Sequence, residues 1–184
     1  VIGYGNHETA IIKWQETDIL QRFVDLLNLK CHSNVQTGGY GGWLIVKLIK
    51  HNKAFPFKIK YFHGSGGGGV VTKGALNLTR ALEMYEGFDI FTMGHIHENS
   101  CRNDVRDSLK YQTKNGYKIE HKYLHSMITG TYKEEYQEGA YGWHVERGAP
   151  IKPLGGRILD LNIERKQVDG QDLITKIVDS RRFI

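Results

Sequence analysis

The sequence predicts an α/β fold, in which apolar strands alternate with amphipathic helices. Two apolar segments, residues 43–49 and 88–93, have the length and composition of buried strands. Residues 57–61 alternate between apolar and polar side chains, as a half-buried strand does. Residues 17–30 and 73–86 repeat apolar side chains at helical spacing, so strands and helices are expected to alternate along the first half of the chain.

The two predicted helices have recognisable ends and apolar faces. Thr17 or Asp18 can cap the first helix, and Gly87 is placed to end the second. The expected buried side of the first helix consists of Leu20, Phe23, Val24 and Leu27, and that of the second consists of Leu76, Ala81, Leu82 and Tyr85.

The second half of the chain is predicted to be mainly β. Residues 109–113 and 117–123 flank Lys114-Asn115-Gly116, and Asn-Gly between alternating segments is a strong hairpin signal. Further strands are expected at residues 126–132, 156–163 and 168–180.

Length and composition favour a single domain in a reducing compartment. A chain of 184 residues has the size of one domain, and its net charge of +5 suits an anionic ligand. Its two cysteines, Cys31 and Cys101, form no CxxC pair, so reduced thiols and a cytoplasmic location are expected. No apolar run approaches the ~20 residues that a membrane-spanning helix needs, so no membrane partner is expected.

Three polar clusters follow predicted strands or lie in turns. They are Gly5-Asn6-His7-Glu8, then His63, then Gly94-His95-Ile96-His97. Sites in layered α/β folds are built at the carboxyl ends of strands, which is where His63 and His95 are expected. Imidazole nitrogen and amide oxygen are suitable ligands for divalent transition metals.

In this order the clusters resemble the later motifs of the calcineurin-like metallophosphoesterases. The resemblance covers about residues 1–99, and the segments His63-Gly64-Ser65-Gly66-Gly67 and Pro153-Leu154-Gly155-Gly156 look like those of phage or prophage members. It implies a β-sandwich flanked by helices, with a dinuclear metal centre that activates water to hydrolyse phosphate esters. Mn²⁺ is the first expectation for the two divalent ions, and Fe or Zn²⁺ would also accept these ligands.

The resemblance also implies a role for each residue. Asn6, His63 and His95 would bind one ion, and His97 would bind the other. His7 would face the substrate, where it stabilises the phosphoryl transition state or protonates the leaving oxygen. Glu8 would hold His7 in position and raise its basicity.

The chain departs from the family because neither Asp-x-His nor Gly-Asp occurs anywhere in it. Those motifs precede Gly-Asn-His in the family and supply the remaining ligands, including the bridging carboxylate. We therefore expect residues 1–184 to be one metallophosphoesterase domain whose N-terminal portion is missing, with the other ligands on an absent segment or a partner chain. The alternative is a degenerate, non-catalytic homologue, or a split-chain subunit, that acts as a binding or structural protein.

Four further residues are candidates for binding the substrate. Gly64, Ser65 and Lys73 belong to a glycine-rich loop ahead of a helix, which suits phosphate, although such a loop can also be a plain linker. His144 lies in an aromatic and charged cluster that could border the substrate or only pack. The expected substrate is first a phosphodiester in nucleic acid, and second a small phosphomonoester or cyclic nucleotide.

Each metal-site cluster also has a structural interpretation. His63 could be a hydrogen-bonded core histidine, Gly94-His95-Ile96-His97 a plain turn, and Glu8 a helix cap. The run of lysines between Lys47 and Lys60 could guide a polyanion or form a solvated face.

Overall fold

The computed structural model describes residues 1–50, 52–112, 116–134, 136–139, 142–168 and 171–183, and it is a mixed α/β structure. Its helices are α1 (Asn6–Gln15), α2 (Ile19–Cys31), α3 (Ala75–Glu83) and α4 (Trp143–Glu146). Its strands are β1 (Gly41–Lys50), β2 (Lys53–Phe62), β3 (Ile90–Met93), β4 (Asn99–Gln112), β5 (Gly116–Thr129), β6 (Gly156–Val168) and β7 (Gln171–Phe183). No helix among the described residues has the length and apolarity that crossing a bilayer requires.

The central sheet has five strands in the order β1-β2-β3-β5-β4. The inner pairs β2–β3 and β3–β5 are parallel, and the outer pairs β1–β2 and β4–β5 are antiparallel hairpins. Strands β6 and β7 form a separate antiparallel hairpin. The predicted α/β class is therefore confirmed, with one mixed sheet and a few flanking helices.

The two faces of the sheet are covered by different elements. Helix α3 lies on one face, where its side chains Leu78, Ala81 and Leu82 join a buried cluster with strand residues such as Phe91 and Ile128. The β6–β7 hairpin lies on the other face, where Ile163 joins Phe57, Ile59, Ile90 and Met127. Burial of these two clusters is the main favourable term in the folding of the sheet.

Several predicted elements are present with different bounds or burial. Helix α3 is shorter than predicted, because Lys73 and Gly74 have φ of 44° and 81° and form a left-handed turn before it. Its buried side includes Leu78 instead of Leu76, which is exposed. Helix α2 starts after Asp18, whose carboxylate accepts a hydrogen bond from the amide of Gln21, but Phe23 on its predicted buried face is largely exposed.

Strand β1 was predicted to be buried, and this prediction is wrong. It lies at the edge of the sheet, and Trp43, Ile45 and Ile49 are exposed. Only Leu44 and Leu48 pack against the β6–β7 side. Of the neighbouring lysines, Lys60 is buried between the rings of Trp43 and Tyr85, so it does not belong to a solvated basic face.

Strands β4 and β5 are much longer than the predicted hairpin. One continuous strand, β5, replaces the predicted segments 117–123 and 126–132, because its outer half is exposed while Leu124 to Ile128 is buried on both faces. The change from an exposed to a buried environment along β5 interrupts the apolar–polar alternation of its sequence, so the sequence pattern predicted two strands. The predicted turn residues Lys114 and Asn115 lie outside the described residues.

The buried His125 predicts a pH-dependent stability. Its Nδ1 lies 2.6 Å from Asn103 Oδ1, and its Nε2 lies 2.9 Å from Ser180 Oγ. Burial, and then the positive charge of Arg157, lower the pKa of His125 below 6.5, and Asp179 opposes them. Since the unfolded chain takes up this proton near pH 6.5 and the folded chain resists it, the free energy of unfolding should fall as the pH drops below 6.5.

Urea denaturation at pH 7.5 and pH 5.5 measures this effect. His125→Gln should reduce the difference between the two free energies. His63, whose pKa is also lowered by burial, accounts for part of the pH dependence of the free energy of unfolding that remains in His125→Gln. If His125→Gln shows the same difference in free energy of unfolding as wild type, His125 is not the source of the pH dependence.

Candidate metal centre

The parallel pairing of β2 and β3 brings two predicted ligands to one edge of the sheet. His63 directly follows β2, and His95 follows β3 after Gly94. The amide of Gly94 donates to the carbonyl of His63 at 3.1 Å, which holds the two strand ends side by side. The start of α1 lies against the same edge, since a Cβ at Gly5 would stand 2.7 Å from His63 Cε1.

Three predicted ligand atoms converge at this point. Asn6 Oδ1 lies 2.9 Å from His63 Nε2 and 3.2 Å from His95 Nδ1. The two ring nitrogens are themselves 3.2 Å apart. We call this arrangement of Asn6, His63 and His95 the triad.

The triad has the spacing of donors around one metal ion. Donor atoms bound to a single ion at ~2.1 Å stand about 3.0–3.4 Å apart in octahedral or tetrahedral geometry. All three separations in the triad are near this range. Its donor set of two imidazoles and one amide oxygen fits Mn²⁺, Fe or Zn²⁺.

The backbone of the Gly94-His95-Ile96-His97 turn is strained. His95 and His97 have φ of 66° and 61°, in the left-handed region that non-glycine residues rarely adopt. Each such residue costs about 1–3 kcal/mol, and strain of this kind clusters at functional sites. The strain favours the functional interpretation of this turn over a plain turn.

The environment of His63 favours a neutral ring. The Tyr40 ring packs edge-on against it at 4.9 Å between centroids, and the Tyr40 hydroxyl donates to the carbonyl of Gly64. Burial first, and then neighbouring His95, lower the pKa of His63, while Glu8 opposes them. A neutral imidazole is the form that can bind a metal.

Tyr40 was not singled out from the sequence. It lies in the glycine-rich segment 37–42 that was interpreted only as a turn. A large aromatic residue between glycine pairs is a signal that could have drawn attention to it.

Asn6, His7 and Glu8 lie in the first turn of α1, which was not predicted as a helix. The Glu8 carboxylate accepts a hydrogen bond of 2.9 Å from the amide of Gly5, so it acts as a cap of α1. The structural interpretation of Glu8 is therefore observed, and its role in orienting His7 stays a prediction. Positive charge on His7 is a minor cause of the lowered pKa of His63.

His97 and His144 are neighbours, although 47 residues separate them in the sequence. Their ring centroids are 5.3 Å apart, and His144 begins the short helix α4 together with Trp143. An ion pair between Lys152 and Glu98, both mostly buried, ties the segment after α4 to the residue that follows His97. Tyr141, part of the aromatic cluster that pointed to His144, lies outside the described residues.

The glycine-rich loop is anchored at its start beside the triad. Gly64 has φ of 102°, and a Cβ there would stand 2.9 Å from the carbonyl oxygen of Gly94. The carbonyl of Ser65 accepts a hydrogen bond from Asn77 in α3. Lys73 lies in the turn before α3, where its amide donates to the carbonyl of Gly69. Contact of Ser65 or Lys73 with a substrate stays a prediction.

The triad contains two imidazoles and one amide, and no carboxylate. Within the described part of the chain, no group of three His, Cys, Asp or Glu side chains could hold a metal ion. The third donor of the triad is an amide oxygen. Neither Asp-x-His nor Gly-Asp occurs in the 184 residues.

Gly5→Ala should disrupt the triad more than it destabilises the fold. The new Cβ would stand 2.7 Å from His63 Cε1 and 2.8 Å from Glu8 Oε2, so both side chains must move. We expect Mn²⁺ binding to weaken ~10–100-fold, as when groups that orient metal ligands are lost. Isothermal titration calorimetry measures this, with Gly67→Ala as the control because nothing lies within 4 Å of its Cβ position. Equal affinities in the two variants would contradict the prediction.

Comparisons of the chain with protein-family models, with curated proteins and with solved structures found no match.

Proposed function

We propose that this chain carries the histidine-rich part of a two-metal phosphoesterase centre in a metallophosphoesterase-type fold. The observation that carries the proposal is the convergence of Asn6, His63 and His95 on one point with separations of 2.9–3.2 Å. These residues are distant in sequence, and they come together because α1 begins at the edge of the sheet where β2 and β3 end. The left-handed backbone conformations of His95 and His97, in the turn that follows β3, support the proposal further.

The chain's own residues divide into metal-holding and substrate-facing groups. The triad holds one divalent ion, and His97 binds the second. Bound ions supply Lewis-acid activation of water and of the phosphoryl group. His7, on the first turn of α1, stabilises the phosphoryl group or gives a proton to the leaving oxygen. His144, beside His97, lines the substrate side, and Gly64, Ser65 and Lys73 border the phosphate.

We propose that the carboxylate ligands come from another segment or a partner chain, because the 184 residues contain neither Asp-x-His nor Gly-Asp. The first substrate class is a phosphodiester of nucleic acid, and the second is a small phosphomonoester or cyclic nucleotide. The net charge of +5 suits either anion.

Hydrolysis by the natural protein tests the proposal. With Mn²⁺ present, it should hydrolyse bis-p-nitrophenyl phosphate faster than p-nitrophenyl phosphate, and a chelator should abolish both activities. His7→Asn should lower the rate ~10²–10⁴-fold, the usual contribution of an acid–base group, while Mn²⁺ affinity is retained. The control is the exposed His32→Asn at the end of α2, where φ is 48° and asparagine is tolerated.

A second function, metal-dependent binding without turnover, is favoured by the missing carboxylates. It predicts Mn²⁺ binding by the natural protein with no hydrolysis of either ester. An intact mass of the natural protein that leaves no room for further ligands would favour this second function.

A further inference from the structure

The outer half of the β4–β5 hairpin is amphipathic, and its apolar face is exposed. Directly opposed pairs on this face are Val105 with Tyr123, Leu109 with Ile119, and Tyr111 with Tyr117. The six side chains are 57% to 70% exposed. We call them the ribbon face.

The ribbon face has a large accessible area. At about two thirds exposure, the three tyrosines and three aliphatic residues present on the order of 800 Å², the area that one partner contributes to a standard interface. Apolar patches on monomers are rarely larger than ~300–600 Å². Opposed aromatic and β-branched side chains would also stabilise the hairpin itself, but that role does not require three apolar pairs on one face, here placed on both sides of the Asp107–His121 pair.

The distribution of charged side chains over the two faces of the β4–β5 hairpin argues against a nucleic acid as the main occupant of the ribbon face. The only charged pair among its opposed residues is Asp107 with His121, 2.9 Å apart. The lysines Lys110, Lys118 and Lys122 alternate with the apolar residues and therefore lie on the opposite face. Among the described residues, the lysine that borders Val105 and Tyr123 on this side is Lys176, and its ammonium is already paired with Asp89. Bases stacked on the tyrosines would therefore find little positive charge for their phosphates.

We propose that the ribbon face is the contact between two copies of this chain. The face matches one half of a standard interface in area, is close to neutral, and is self-complementary in its apolar character. The β6–β7 hairpin lies on the same side at the inner end of β5, where Met127 belongs to its cluster. The two β4–β5 hairpins are therefore antiparallel in the dimer. This arrangement keeps the two β6–β7 hairpins at opposite ends, where they do not collide.

Sedimentation equilibrium of the natural protein tests this proposal, and it is independent of the metal centre. Wild type should have twice its monomer mass at micromolar concentration. The double variant Leu109→Thr/Ile119→Thr, which replaces one opposed pair of the ribbon face, should raise the dissociation constant ~100-fold or more. Circular dichroism checks that the variant folds.

Two matched controls locate the interface. Lys110→Thr/Lys118→Thr replaces the neighbouring opposed pair on the other face and should leave the dimer intact. Phe23→Gln alters the exposed apolar side of α2 and should also leave it intact. The proposal is overturned if wild type is monomeric at ~100 μM, or if the Phe23 variant dissociates while the ribbon variant does not. Binding of a monomer to phosphatidylcholine vesicles through the ribbon face would also overturn it.

Discussion

Replacing His63 by alanine is expected to weaken Mn²⁺ binding roughly 100-fold or more. His63 Nε2 contacts both other donors of the triad, at 2.9 Å and 3.2 Å, so its loss leaves only two donors on the proposed ion. Loss of groups that merely orient ligands costs 10–100-fold in affinity, and loss of a ligand should cost at least the upper end of that range. A Mn²⁺ titration measures the affinity and the number of bound ions, with free Mn²⁺ detected by its electron paramagnetic resonance signal.

His121→Ala is the matched control for the metal-binding experiment. This histidine lies on the outer part of β5, where it pairs with Asp107 far along the strand from the triad. Its replacement should leave Mn²⁺ affinity unchanged. If His63→Ala binds Mn²⁺ as tightly as His121→Ala does, the triad is not the metal site.

Replacing Phe91 by alanine is expected to lower the free energy of unfolding by about 3–5 kcal/mol. Phe91 is completely buried in the cluster under α3, where its ring packs near those of Tyr85 and Phe88. Its removal loses apolar burial and leaves a cavity that the rigid sheet cannot close. Since typical domains are stable by about 5–15 kcal/mol, this one change should remove much of the stability.

Urea denaturation measures the cost of Phe91→Ala against Leu76→Ala. Leu76 lies on α3 but is exposed, and alanine is the best helix former, so its free energy of unfolding should change by less than about 0.5 kcal/mol. Similar losses in the two variants would mean that the cluster under α3 is not the main core of the sheet.

The sequence was most informative where strands end. Residues 57–61 and 88–93 were predicted as strands, and the structure places His63 and His95 after β2 and β3, which are parallel neighbours. Parallel neighbouring strands bring their carboxyl ends together, so the proximity of these two histidines follows from the strand assignments together with the β2–β3 pairing that the structure shows. The position of Asn6 depends on α1, and its approach to His63 could be expected only from the family resemblance.

The sequence was least informative where tertiary contacts override local pattern. Strand β1 has the composition of a buried strand, yet it is an edge strand because no described strand pairs with its outer side. The start of α1 was hidden because Asn6 and His7 are weak helix formers, and the cap at Glu8 is a local contact that compensates for them. The approach of His144 to His97 is a long-range contact, accompanied by the Lys152–Glu98 ion pair, and no local sequence pattern predicts either.

Anomalous diffraction from crystals of the chain grown with MnCl₂ tests the central claim most directly. The account predicts a manganese peak about 2.2 Å from Asn6 Oδ1, His63 Nε2 and His95 Nδ1. A second, weaker peak near His97 would agree with the proposed dinuclear centre. No peak at the triad, with Asn6, His63 and His95 bonded only to one another, would contradict the claim that these three residues form a metal site.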